Sequence, residues 1–200
     1  MTKMLWQSPA IALLTAGALV CASAAHAQQA KTPAKQEPKP AAKSNAKPAD
    51  PTEQAVLLGQ FGDWGAYKAT PGGKKICFAL AKPASVVTEP AGRKRDPSYA
   101  FISTRPSEKV KNEVSVIVGY PQKNGVDASA AIGTKNFPMY TQNDGAWVKN
   151  AGEEAQMITL MRNGGELVVK SESGLGTKTT DSYSLKGIGP ALDKVAEECK

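Results

Sequence analysis

Alternation between apolar and polar positions dominates the chain beyond about residue 54. KICFALA (75–81) puts Ile76, Phe78 and Leu80 on one face with a period of two. SYAFIST (98–104) and EVSVIVGY (113–120) follow, rich in the β-branched and aromatic residues that suit a pleated, half-buried surface. Asn124-Gly125 and Asp144-Gly145 tolerate positive φ, so they predict one hairpin into DASAAIG and another between Tyr140 and Trp147. ELVVKS and TKTTDSYSL, joined by a glycine-containing loop at 172–176, predict a third. From Pro83 to Pro97, with Pro90 inside, the expectation is a loop.

Two segments change period. In GEEAQMITLMRNGG, Ala155, Ile158 and Met161 form a stripe at helical spacing beside Met157 and Leu160, with acidic Glu153 and Glu154 at the start and Gly164 as the stop. In GPALDKVAEECK, Pro190 opens a helix on which Leu192, Val195, Ala196 and Cys199 share a face. Together these patterns predict a mainly β domain over residues 54–200, a β-sandwich or partly open barrel of about eight strands with one inserted helix and one C-terminal helix.

Upstream the chemistry is different. Lys3, an apolar run from Ala10 to Ala22, and Ala25-His26-Ala27 before Gln28 make residues 1–27 an expected export signal, cleaved between Ala27 and Gln28. The run is shorter than the ~20 residues that span a bilayer, and no later segment is long and apolar enough, so no transmembrane segment is expected after cleavage. Val20 before Cys21 does not suit a lipid anchor. Residues 28–53 are rich in Pro, Ala and Lys, with Lys31, Lys35, Lys39, Lys43 and Lys47 at every fourth position. Pro33, Pro38, Pro40 and Pro48 break any helix there, so the segment reads as a disordered linker. Its Ser44-Asn45-Ala46-Lys47 has the S-x-x-K pattern of penicillin-recognising enzymes without their supporting motifs. The expected location is the periplasm or the secreted medium.

Composition then removes chemistries. The chain has one histidine and three cysteines, and His26 and Cys21 fall within the export signal. A mature chain would therefore lack a histidine general base and any histidine-rich metal site. Two cysteines in an oxidising compartment normally pair. Cys199 lies on the apolar stripe of the last helix and Cys77 is its only available partner, so a structural disulfide is expected, worth at most about 4–5 kcal/mol on the chain-entropy view. No C-x-x-C spacing suggests a redox pair. No cofactor is expected: Met139, Met157 and Met161 have no histidine to complete a haem site, and Gly174-Leu175-Gly176-Thr177-Lys178 lacks the order of a phosphate loop.

The remaining candidates are for binding. Arg93-Lys94-Arg95 is the most basic loop and would suit phosphate or carboxylate groups of a cell-envelope component or a protein partner, although a loop of this composition is more often simply solvated. Trp64, Tyr140 and Trp147 are candidates for an aromatic surface, but strand alternation puts most aromatics inside, so burial in the core is the favoured reading. Asp63, Asp144 and Asp181, near strand ends, are the carboxylates from which a histidine-free glycan hydrolase would be built. Glu153-Glu154 and Glu197-Glu198 diverge on their helices and read as solvated charge, the first pair also stabilising a helix start. Nucleic acid is not expected as a partner despite 25 Lys+Arg against 18 Asp+Glu, because no reading helix or stacking strand accompanies the charge.

FGDW (61–64), KICFALAKP (75–83), STRP (103–106), EVSVIVGYP (113–121), NDGAW (143–147), ELVVKS (166–171), GTKTTDSYSLKG (176–187) and the closing EEC, in that order and spacing, resemble the invasion-associated locus B family of exported proteins of Gram-negative bacteria. The resemblance covers Gln60 to Lys200. Some members carry a further cysteine after the GDW; WGAYKA stands there in this chain, so a second bridge is not expected. The resemblance implies a non-enzymatic envelope or secreted interaction protein, associated with host-cell invasion or with envelope integrity, and it carries over no catalytic residues. A periplasmic chaperone or structural tether is the other non-enzymatic expectation.

Overall fold

The computed structural model describes residues 51–200. The expected signal, its cleavage site at Ala27 and Gln28, the S-x-x-K segment and the linker up to residue 50 lie outside them. In chain order the elements are β1 (Val56–Phe61), β2 (Trp64–Ala69), β3 (Ile76–Ala81), β4 (Ser85–Glu89), β5 (Tyr99–Arg105), β6 (Val110–Ile117), β7 (Ala128–Ile132), β8 (Lys135–Gln142), β9 (Gly145–Val148), α1 (Ala151–Asn163), β10 (Glu166–Glu172), β11 (Lys178–Ser184) and α2 (Ile188–Glu198). The strands form one antiparallel sheet in the order β1-β2-β3-β5-β6-β9-β8-β7-β10-β11-β4. It is not closed into a barrel, and β1 and β4 are its edges.

The mainly β expectation with two helices therefore holds, but with eleven strands in place of about eight. One of the additional strands is β4, inside the segment expected to be a loop. Pro83 precedes it and Pro90 follows it, and prolines are compatible with the ends of an edge strand because no ladder hydrogen bond is lost there. The hairpin expected at Asn124-Gly125 is also overturned. β6 lies between β5 and β9, while β7 lies between β8 and β10. Ser115, Val116 and Ile117 pair with Trp147, Ala146 and Gly145, so β9 takes the edge of β6 that β7 would have used. The dipeptide reverses the chain without choosing its partner. Between β8 and β9 the hairpin is present, with Gln142 opposite Gly145; its central residues are Asn143 and Asp144, one position earlier than expected.

A single large core lines the inner face of the sheet. Ala66, Ala79, Ile102, Val114, Val116, Leu167 and Val169 meet Met157 and Met161 of α1 and Leu192 and Val195 of α2 there. α2 packs on β1, β2 and β3, where the small Ala66 and Ala79 stand paired beneath it. Asn150 caps α1, its Oδ1 accepting from the Glu153 N–H at 2.9 Å, and Gly164 ends it. Ala155 and Ala196, expected on the buried stripes, are exposed. Cys77 and Cys199 form the expected disulfide, joining β3 to the end of α2 across 122 residues. Met139, Met157 and Met161 are all fully buried core side chains. On the opposite face, Phe78, Leu80 and Tyr99 form a smaller cluster with Tyr67 and Phe101.

Candidate functional site

The three basic residues of the β4–β5 connection have different surroundings. Arg93 and Lys94 are exposed and line a cleft. Arg95 turns inward to an ion pair with Asp181 of β11; its side chain is 9% exposed and that of Asp181 only 1%. Its Nη1 donates to the Val118 carbonyl at 2.7 Å and its Nη2 to Ser98 Oγ at 3.2 Å. The guanidinium also lies 5.8 Å from the centre of the Tyr120 ring. The candidate anion-binding triplet is thus corrected: Arg95 is an anchor, and Arg93 and Lys94 are left to face a ligand. The physical reason lies in β11, where alternation puts Thr179, Asp181 and Tyr183 inside. A carboxylate in that position is stable only with a buried cation beside it.

Backbone contacts hold the same loop. The Asp96 N–H donates to the Gly119 carbonyl at 3.1 Å. Gly119 has φ +75, and a Cβ there would overlap the Asp96 carbonyl, so only glycine permits this approach.

The opposite wall is the β10–β11 hairpin. Glu172 pairs with Lys178 across it, so the glycine-rich GLGTK segment is a hairpin connection, as its flanking strands predicted. Ser173 Oγ accepts from the N–H groups of Leu175 and Thr177, and the Gly174 N–H donates to the Pro121 carbonyl at 3.1 Å. Beneath the cleft the Tyr120 hydroxyl lies 2.5 Å from Ser171 Oγ and 2.6 Å from Thr179 Oγ1. The result is a cleft of about 490 Å³ between Arg93 and Lys94 on one side and Tyr120, Pro121 and Leu175 on the other. That volume falls within the ~300–1,000 Å³ typical of small-molecule sites.

Two titratable groups of β10 and β11 lie outside the cleft lining. Burial pushes the Tyr183 phenol above its ordinary value, while the Lys123 ammonium, 2.7 Å away, holds the Glu172 carboxylate below its own. Neither is poised for proton transfer near pH 7.

Other expected site residues are dispersed. Of the three aspartates, Asp181 alone is tied to this site, through its buried ion pair with Arg95, and it does not line the cleft. Asp144 is exposed in the β8–β9 turn, its carbonyl accepting from the Val118 N–H, and Asp63 is exposed in the β1–β2 turn, its N–H donating to the Lys186 carbonyl. Trp64 leaves the candidate surface and takes the core place that alternation favours: it is fully buried, with Nε1 donating to the Ser184 carbonyl at 2.9 Å. Tyr140 and Trp147 do share a surface, stacked across β8 and β9 with ring centres 5.5 Å apart. Trp147 lies over Gly145, where any Cβ would collide with the indole. The helix glutamates are not simply solvated either: Glu154 accepts from the Val114 N–H, and Glu198 pairs with Lys68 and Lys75.

Sequence reasoning missed Tyr120, Ser171, Thr179 and Leu175. Asp181 carried a usable signal: a charged residue at an inward position of an alternating strand requires an internal counter-charge. No family model, no curated protein and no solved structure matches the chain.

Proposed function

We propose that the chain is an exported, non-enzymatic interaction protein of the cell envelope, and that the cleft between the β4–β5 loop and the β10–β11 hairpin is its recognition site. The observation that carries this reading is the pair of exposed cations, Arg93 and Lys94, held at a cleft rim by a loop whose next residue is anchored inside the domain. A braced loop loses little conformational freedom on binding, so more of the contact energy appears as affinity. The formal net charge of +7 favours approach to anionic envelope polymers and lipid headgroups. The invasion-associated locus B resemblance supports the envelope setting and leaves both host-cell invasion and envelope integrity as roles for such binding.

Co-sedimentation of the full chain with isolated outer membranes and wall sacculi, over a salt series, tests the proposal. Arg93→Glu with Lys94→Glu is expected to weaken binding about tenfold, equivalent to ~1.4 kcal/mol, and added salt is expected to weaken the wild type. Replacing Lys31, Lys35, Lys39, Lys43 and Lys47 by glutamine is expected to leave most of it. The opposite result would place recognition in the linker and remove the cleft from the account.

A further inference from the structure

We propose that this cleft takes a single-chain anionic amphiphile, with its phosphate or carboxylate head between Arg93 and Lys94 and its apolar chain against Pro121, Leu175 and the ring of Tyr120. The proposal rests on the reading of the cleft as the recognition site and adds the chemical class of the ligand.

Three observations carry it. The first is charge: Arg93 and Lys94 stand side by side, neither in an ion pair among the described residues, and no carboxylate lines the cleft. An anionic head would meet two donors there and no like charge.

The second is the character of the wall. Pro121 and Leu175 offer no polar side chain, and the Tyr120 hydroxyl is occupied by Ser171 and Thr179; its ring, which also packs on the core and beside the Arg95 guanidinium, is a further part of the wall. Ser173 Oγ is occupied as well, accepting from two N–H groups of its own loop. Leu175 is 96% exposed. An apolar side chain left in water at the mouth of a cleft gains from being covered by an apolar ligand.

The third is size. At ~30 Å³ for each water-sized group, the cleft holds about sixteen non-hydrogen atoms. A ten-carbon alkyl phosphate, with about fifteen, fills it. A two-chain membrane lipid would leave most of its atoms outside the cleft, whereas a one-chain molecule is accommodated whole, and the proposal commits to the one-chain ligand.

Calorimetric titration of the full chain with decyl phosphate, inorganic phosphate and decyl maltoside, each below its micelle concentration, tests this. Saturable binding of decyl phosphate is expected, with inorganic phosphate and decyl maltoside each weaker by about tenfold or more. Arg93→Gln with Lys94→Gln is expected to cost about tenfold and Leu175→Ser several-fold; all three positions are exposed, so the fold is not at risk. Equal affinity for inorganic phosphate would reduce the cleft to a bare anion site. Equal affinity for decyl maltoside would reduce it to an apolar surface, and binding untouched by either variant would place it elsewhere; each result overturns the proposal. Failure of decyl phosphate to bind, with envelope sedimentation still dependent on Arg93 and Lys94, would overturn the ligand class alone. Loss of both dependences would overturn the recognition site as well.

Discussion

Removing a guanidinium and a carboxylate from water is costly for each ion, and at Arg95 and Asp181 the cost is offset only while both are present. Arg95→Met would leave a carboxylate buried beside an apolar side chain, and we expect a loss of about 3–5 kcal/mol in urea unfolding. Arg95→Met combined with Asp181→Leu should recover most of that loss, because neither charge then needs a partner. A single variant as stable as the wild type would show that the pair compensates nothing. The double variant should also weaken binding at Arg93 and Lys94, since their loop loses its internal tie. This division of labour was not legible in Arg93-Lys94-Arg95 itself. Which of three neighbouring cations turns inward is decided by Val118, Ser98 and Asp181, and two of these are remote in sequence.

At the scale of elements, α1 is fastened to the sheet by a side chain that reads as solvated in the sequence. The short β9 pairs with β6 at Ser115, Val116 and Ile117. At Val114, next along β6, Glu154 Oε1 accepts the backbone N–H at 2.7 Å. Desolvation at this half-buried position raises the pKa of Glu154 above its ordinary value, more than the hydrogen bond from Val114 lowers it. The folded chain therefore holds this proton more tightly than the unfolded chain. The associated stability is fully present below the ordinary carboxylate range and is lost as pH rises through the raised value. Glu154→Gln keeps an acceptor for Val114 and removes the proton. Thermal melts from about pH 4 upward should show the wild type losing stability relative to the variant, and parallel curves would contradict this.

The helices themselves were legible because an apolar stripe, a stop glycine and a proline near the start are local signals. So were β3, β5 and β6, whose side chains alternate over long runs. β4 was not, since five residues between prolines look like a loop until β11 is placed beside them. A turn dipeptide likewise cannot report that β6 pairs with β9 and not with β7.

For the whole molecule, the Cys77–Cys199 bridge joins β3 to the end of α2, and salt bridges from Lys68 and Lys75 to Glu198 lie next to it. Replacing both cysteines by serine should cost about 2–5 kcal/mol in denaturant unfolding. The cleft is built by other elements, so decyl phosphate binding should persist under conditions where the variant remains folded. The bridge could be inferred from elimination and from the face of a helix, but the strand order could not, because it depends on pairings between distant segments. That order also sets what the cleft needs before it can form. β4 has a single neighbour, β11, the last of the eleven strands to be made. Until β11 arrives, β4 has no ladder to join and Arg95 has no Asp181. A chain grown only as far as β9 has Arg93, Lys94 and Tyr120 but not the β10–β11 hairpin that carries Leu175, so the region proposed to meet the ligand waits for the last strand to be made.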